Sequence, residues 1–144
     1  MKMIQVKTSE LTGPALDWAV GTAMGNTMRQ HKNLEIPAWF DADNKLIYLP
    51  ASAFSPSTDW AHGGPLLAEL MASSEYGITP FSGGACQISN TDNEGFPYNG
   101  DMKQGHFEIV GDNLLMAACR AVVASKLGDV VEVPAELVEG ISHD

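Results

Sequence analysis

Asp112-Asn113-Leu114-Leu115-Met116-Ala117-Ala118-Cys119-Arg120-Ala121-Val122-Val123-Ala124-Ser125-Lys126-Leu127-Gly128 is the stretch whose reading decides the fold. Asp112 predicts an N-cap, Gly128 a stop, and the residues between them a helix over 113–127. Leu115, Ala118, Cys119, Val122 and Leu127 recur at helical spacing and predict its inward face. Asn113, Arg120 and Lys126 are placed on the other side. The flanking residues 106–110 and 130–133 are β-branched or alternating, and predict a strand before the helix and a strand or extended arm after it.

Outward from this unit, residues 3–6 predict a first strand, and Thr12-Gly13-Pro14 opens a helix to about residue 28. Its stripe is Leu16, Ala19, Val20, Ala23, Met24 and Thr27, with Trp18 half-buried beside it. Residues 30–44 carry few regular signals and read as a loop with a short extended piece. Residues 45–49 form a strand stopped by Pro50, and 65–73 a short helix started by Pro65. Residues 76–81 and 85–89 read as strands joined by Ser82-Gly83-Gly84, a hairpin turn. Residues 90–104 are polar, enclose Phe96-Pro97-Tyr98, and predict a long loop. The expected class is α+β: one domain over 1–133, a mostly antiparallel sheet packed with two or three helices, and an acidic tail over 134–144.

Composition narrows the function. The chain has 144 residues, 44% of them hydrophobic, enough for a core of its own. Eighteen carboxylates face 8 Lys and Arg, for a formal charge of -10, which opposes binding to a phosphate backbone. No nucleic-acid partner is therefore expected. The carboxylates are also too scattered to imitate DNA. Cys86 and Cys119 lie in apolar settings without CxxC spacing and read as reduced and buried. No run approaches a membrane span, so no membrane partner is expected either. The four histidines are far apart with no helical pair, so no metal and no cofactor are expected. No nucleophile elbow is present, and no catalytic residue is assigned.

The candidate site is Ser55-Pro56-Ser57-Thr58-Asp59-Trp60-Ala61-His62-Gly63-Gly64-Pro65. If the helix begins at Pro65, free amides at Gly63 and Gly64 are positioned for an anion, with Ser57 and Thr58 hydroxyls assisting. Trp60 supplies a stacking face, His62 a donor, and Asp59 an acceptor for ribose hydroxyls. Tyr98 from the long loop and Arg120, one of two arginines with Arg29, complete the expected ligand contacts. The competing reading is a structural turn in which Ser57 or Asp59 caps backbone and Trp60 fills the core. For Arg120 it is a surface ion pair.

Three pieces together resemble the NinX family of small bacteriophage proteins. They are Val6-Lys7-Thr8-Ser9-Glu10-Leu11-Thr12-Gly13 with Leu16-Asp17-Trp18-Ala19-Val20, then 55–65, then Ala121-Val122-Val123-Ala124-Ser125-Lys126-Leu127-Gly128-Asp129 with Val131-Glu132-Val133-Pro134. The resemblance implies a phage accessory protein working in the host cytoplasm, and brings no activity with it. The expected function is binding without catalysis: a sponge for a nucleotide-derived host immune signal, a cyclic nucleotide or ADP-ribose derivative, built as a homo-oligomer (dimer or higher). The alternatives are an acidic inhibitor of a host or phage enzyme and, more remotely, a small hydrolase around Asp59 and His62.

Overall fold

The computed structural model describes residues 2–72, 76–89 and 108–138. The fold is α+β, with three helices and eight short strands among those residues. The strands form three small antiparallel sheets rather than one larger sheet.

At the centre is α3, Leu114–Leu127. Its N-cap is Asn113, one residue later than expected, whose side chain accepts from the Met116 amide at 2.9 Å. Gly128, at φ 97°, stops it as expected. Residues 117–123 are buried without a break, so the helix is enclosed on all sides rather than along one stripe. Small residues explain this. Ala117, Ala118 and Ala121 keep α3 narrow, and Gly111 lets the strand before it come close: a Cβ there would collide with the backbone at Ala117. Leu127, expected inside, is exposed.

Strand β1, Met3–Lys7, pairs antiparallel with β8, Val130–Pro134, placing Ile4 opposite Val133 and Val6 opposite Val131. Val131 and Val133 face the core, and Val130 and Glu132 the solvent, as strand alternation requires. Buried Thr8 ties the two ends of this ribbon together. Its amide donates to the Asp129 carbonyl at 2.8 Å and its hydroxyl to the Gly128 carbonyl at 2.6 Å. The boundary expected at residue 133 falls inside β8. Ala135 donates to the Lys2 carbonyl, and Leu137 and Val138 still pack on the core. Residues 139–144 of the expected tail lie outside the described residues.

Helix α1, Gly13–Ala23, buries Leu16, Ala19 and Val20 as the stripe predicted, and Ala15 and Gly21 beside them. It ends five residues early. Gly25 takes φ 88°, and the chain turns into β2, Thr27–Gln30, leaving Met24 and Thr27 outside the core. Strands β2, β3 (Pro37–Phe40) and β4 (Leu46–Tyr48) form the second sheet: β4 is the strand expected over 45–49, while β2 and β3 lie where the end of a helix and a loop with one short extended piece are expected. Four-residue strands of mixed polarity carry too little alternation to be read. The third sheet pairs β5 (Gly77–Pro80), β6 (Cys86–Ser89) and β7 (Glu108–Gly111), and contains the expected hairpin through Ser82–Gly84. Cys86 and Cys119 are both buried and unbridged. No helix among the described residues is long and apolar enough to cross a membrane.

Candidate functional site

Helix α2 spans Trp60–Ala72, so it begins five residues before the expected start at Pro65. Asp59 is its cap: the carboxylate accepts the Ala61 amide at 2.9 Å, and the carbonyl accepts His62 and Gly63 at 3.1 and 2.8 Å. The Gly63 amide expected to hold an anion is therefore spent inside the helix. Pro65 sits in the second turn, where it removes one helical hydrogen bond from Ala61, an exposed residue whose carbonyl can turn to water. Gly63 serves packing, because a Cβ there would strike the Pro56 carbonyl and Leu115.

The other expected contacts fall in different places. Ser57 is 2% exposed; its amide donates to Asp17 Oδ1 at 2.9 Å. Its hydroxyl is close enough to that carboxylate to favour the ionised form, yet meets no partner at hydrogen-bond geometry. Thr58 is exposed, and Trp60 is 57% exposed rather than filling the core. His62 Nδ1 accepts the Ser55 amide at 3.1 Å, which puts the ring proton on Nε2. Asp59 Oδ2 lies 3.7 Å from that same nitrogen, which then has no proton to give it.

Arg120 is 7% exposed and does not reach a ligand surface. Its guanidinium donates to the carbonyls of Leu11 at 2.9 Å and Val110 at 2.6 Å, stitching α3 to two neighbouring segments. Burial holds its pKa below the usual arginine value, and Asp112 partly opposes that. The surface ion pair is also not seen; backbone oxygens take that place. Tyr98 lies outside the described residues.

An open concavity among the described residues lies elsewhere. A cleft of about 740 Å³ runs between α1, the β2–β3 edge and the 51–54 turn. Trp18, Trp39 and Phe54 supply its aromatic surface, Arg29 its cation, and Asp17 and Glu136 its carboxylates. Trp39 is 2% exposed and lies against Gly21 of α1, where a Cβ would meet the indole at 2.5 Å. Its ring meets Phe54 edge-on at 6.0 Å, and Phe54 in turn packs on Tyr48 at 4.9 Å and His62 at 5.6 Å. An aromatic chain thus joins the cleft to α2. The Arg29 guanidinium lies 3.6 Å from the centre of the Phe40 ring and donates to Asn44 Oδ1 at 3.3 Å, which fixes its orientation.

Asp17 connects the two regions. It lines the cleft in front and accepts the Ser57 amide behind. Burial raises its pKa, and the Ser57 hydrogen bonds and His62 pull it back. Cys119, close to that carboxylate, is pushed up to about 12 by burial and by Asp17, so its thiol stays protonated at neutral pH. Of the expected site residues, Ser57 and His62 stand behind the cleft wall, and none of those among the described residues lines it. Asp17, Arg29, Trp39 and Phe54 were not assigned to a site. The scarcity of cations pointed to Arg29; nothing local pointed to the others. No three His, Cys, Asp or Glu side chains among the described residues come together as metal ligands.

Fold and site define an acidic α+β domain whose central helix packs against the other two helices and two of the three small antiparallel sheets, with a cleft at one side. The family model described as bacteriophage P22 NinX matches residues 7–126, and the chain belongs to that family. No curated protein matches it. It is a phage protein.

Proposed function

We propose that this protein holds a small planar ligand in the Trp18–Trp39–Phe54 cleft and sequesters it without turnover, as an accessory protein acting on a nucleotide-derived host signal in the host cytoplasm. The observation that carries the reading is the cleft itself. Its volume of about 740 Å³ lies within the roughly 300–1,000 Å³ of small-molecule sites, and it combines aromatic walls with a few polar groups. Trp18, the partly exposed ring of the three, offers the stacking face, and such a stack is worth about 1–3 kcal/mol per base. Arg29, already oriented by Phe40 and Asn44, offers its remaining N–H groups to one phosphate.

The charge balance narrows the ligand. One guanidinium faces Asp17 and Glu136 in a chain of net charge -10. Multiply charged ligands are disfavoured by that field, which prefers a cyclic mononucleotide, with a single phosphodiester charge, over an ADP-ribose derivative. The anion corner at Gly63 and Gly64 plays no part in this version of the binding site. A homo-oligomer remains part of the proposal.

Titration calorimetry with cyclic and linear mononucleotides and ADP-ribose derivatives tests it. Binding of at least one nucleotide, lost in Arg29→Met with the fold intact, is the expected result. No heat from any member of the panel would remove the reading. The net charge favours a second one, an acidic inhibitor of a host or phage enzyme. A stoichiometric host protein recovered at low salt, with no nucleotide heat, would select it.

A further inference from the structure

Asp17 is held from behind the cleft wall and faces the cleft in front, and that decides which ring it can accept. Its Oδ1 is fixed by the Ser57 amide at 2.9 Å, while the side chain lines the cleft next to Trp18. A carboxylate has about four acceptor positions, and one amide uses only one of them. We infer that Asp17 selects ligand rings with two adjacent N–H donors on one edge, the guanine type, over the adenine type. This rests on the cleft being the ligand site.

The reason is donor and acceptor matching. An ionised carboxylate presents two acceptors side by side and no donor. Guanine offers its ring N1–H and its exocyclic amino group on one edge, and both can donate to that pair. Adenine offers one amino donor beside a ring nitrogen that is itself an acceptor, so one carboxylate oxygen would face a lone pair. In a partly buried site such a mismatch is selected against more strongly than a good match is rewarded. Arg29 takes the phosphate and the partly exposed Trp18 indole takes the ring face, so Asp17 is left to read the edge.

Ionisation of Asp17 is required, and the groups around it are known. His62 faces it from α2 and Cys119 from α3, with Arg29 and Glu136 across the cleft. Only acidification of the carboxylate itself converts an acceptor into a donor on this edge. Preference for guanine therefore weakens as Asp17 is protonated, and burial moves that point above the ordinary aspartate value.

The test is calorimetry on the full chain with the cyclic monophosphates of guanosine, inosine and adenosine. Guanosine is expected to bind about tenfold more tightly than adenosine. Inosine, which lacks the exocyclic amine, is expected between them. Asp17→Asn keeps an oxygen for the Ser57 amide and turns the acceptor pair into one acceptor and one donor, so the ranking should reverse towards adenosine. Equal affinity for guanosine and adenosine in the parent overturns the inference while leaving the cleft as a ligand site. An asparagine variant that is folded by circular dichroism and keeps the parent ranking overturns it in the same way. Heat from other nucleotides but none from guanosine also overturns it, and silence from the entire panel removes the ligand site together with it.

Discussion

Two parts of this molecule rely on a helix glycine, with opposite results. At Gly63 the missing Cβ lets α2 close onto the Pro56 carbonyl and Leu115, and the space disappears. At Gly21 the missing Cβ lets the Trp39 indole lie flat against α1, and the floor of a cleft is created. The same residue type therefore marks a seal in one place and a platform in the other. What separates them is the size of the partner: a backbone carbonyl leaves no concavity, while a buried indole extends beyond the glycine and backs the cleft from within. Glycines near a helix start are thus a poor guide to anion binding until it is known where the helix starts.

The largest expected effect breaks the seal. Gly63→Ala forces a Cβ into backbone, and overpacking of this kind costs about 3 kcal/mol, far beyond the roughly 1 kcal/mol of helix propensity gained. Gly64→Ala has open space, the nearest atom being 3.7 Å away in Trp60. Its propensity gain is offset by crowding against Pro65, so its net effect stays within about 1 kcal/mol. Urea unfolding of both variants checks the contrast. Equal losses at the two positions would mean that the corner is not sealed by Gly63.

Next in size is the contrast between the two arginines. Arg120→Met leaves the Leu11 and Val110 carbonyls without their donor, at a cost of about 2 kcal/mol. Arg29→Met loses an exposed ring contact and one long hydrogen bond, and costs less than about 1 kcal/mol. The same unfolding experiment reads both. A loss for Arg120→Met as small as that of an exposed ion pair would place its guanidinium at the surface after all.

How much of this was legible follows from where each signal resides. The helix expected over 113–127 was readable to within one residue at its cap because its polar start, its small-residue run and Gly128 are all local, and the 76–89 hairpin because two strands flank a glycine turn. Residues Thr27–Gln30 and Pro37–Phe40 were not, since they are held by pairing with each other rather than by their own periodicity. Pro65 misled because proline is favoured at a helix's first position; the competing reading, in which Asp59 caps backbone, is the one the Ala61 amide bears out. The site was least legible of all. Asp17, Arg29, Trp39 and Phe54 are brought together by tertiary packing, and only the rarity of arginine drew attention to one of them. Arg120 shows the reverse: its charge suggested a ligand, but carbonyls from two distant segments occupy it.

A smaller effect is expected at Trp60. Trp60 is exposed on α2, so Trp60→Ala should change stability by less than about 0.5 kcal/mol and leave ligand heat unchanged. Were binding lost with Trp60, the site would belong at the corner and not in the cleft. Trp39→Ala serves as the counterpart, because it empties a nearly full core position and takes the cleft floor with it.

The subtlest expectation concerns pH, and its sign comes from Asp17. Burial raises its folded pKa above the ordinary 3.8, so the folded state binds this proton more tightly than the unfolded chain does. The contribution to stability is then fully present below about 3.8 and is lost as pH rises through the folded value. Asp17→Asn abolishes that dependence while retaining an acceptor for the Ser57 amide. Its melting temperature should therefore gain on the parent's as pH climbs from 3.8 towards neutrality, and then hold steady. A gap that narrows over this interval would mean that the Ser57 contacts outweigh burial, and that the carboxylate is stabilising as an ion. A ligand donating two N–H groups to the ionised form would shrink the gap at neutral pH, since it binds only the parent in that mode. Melting curves with and without guanosine cyclic monophosphate thus separate the cost of burying this acid from its use.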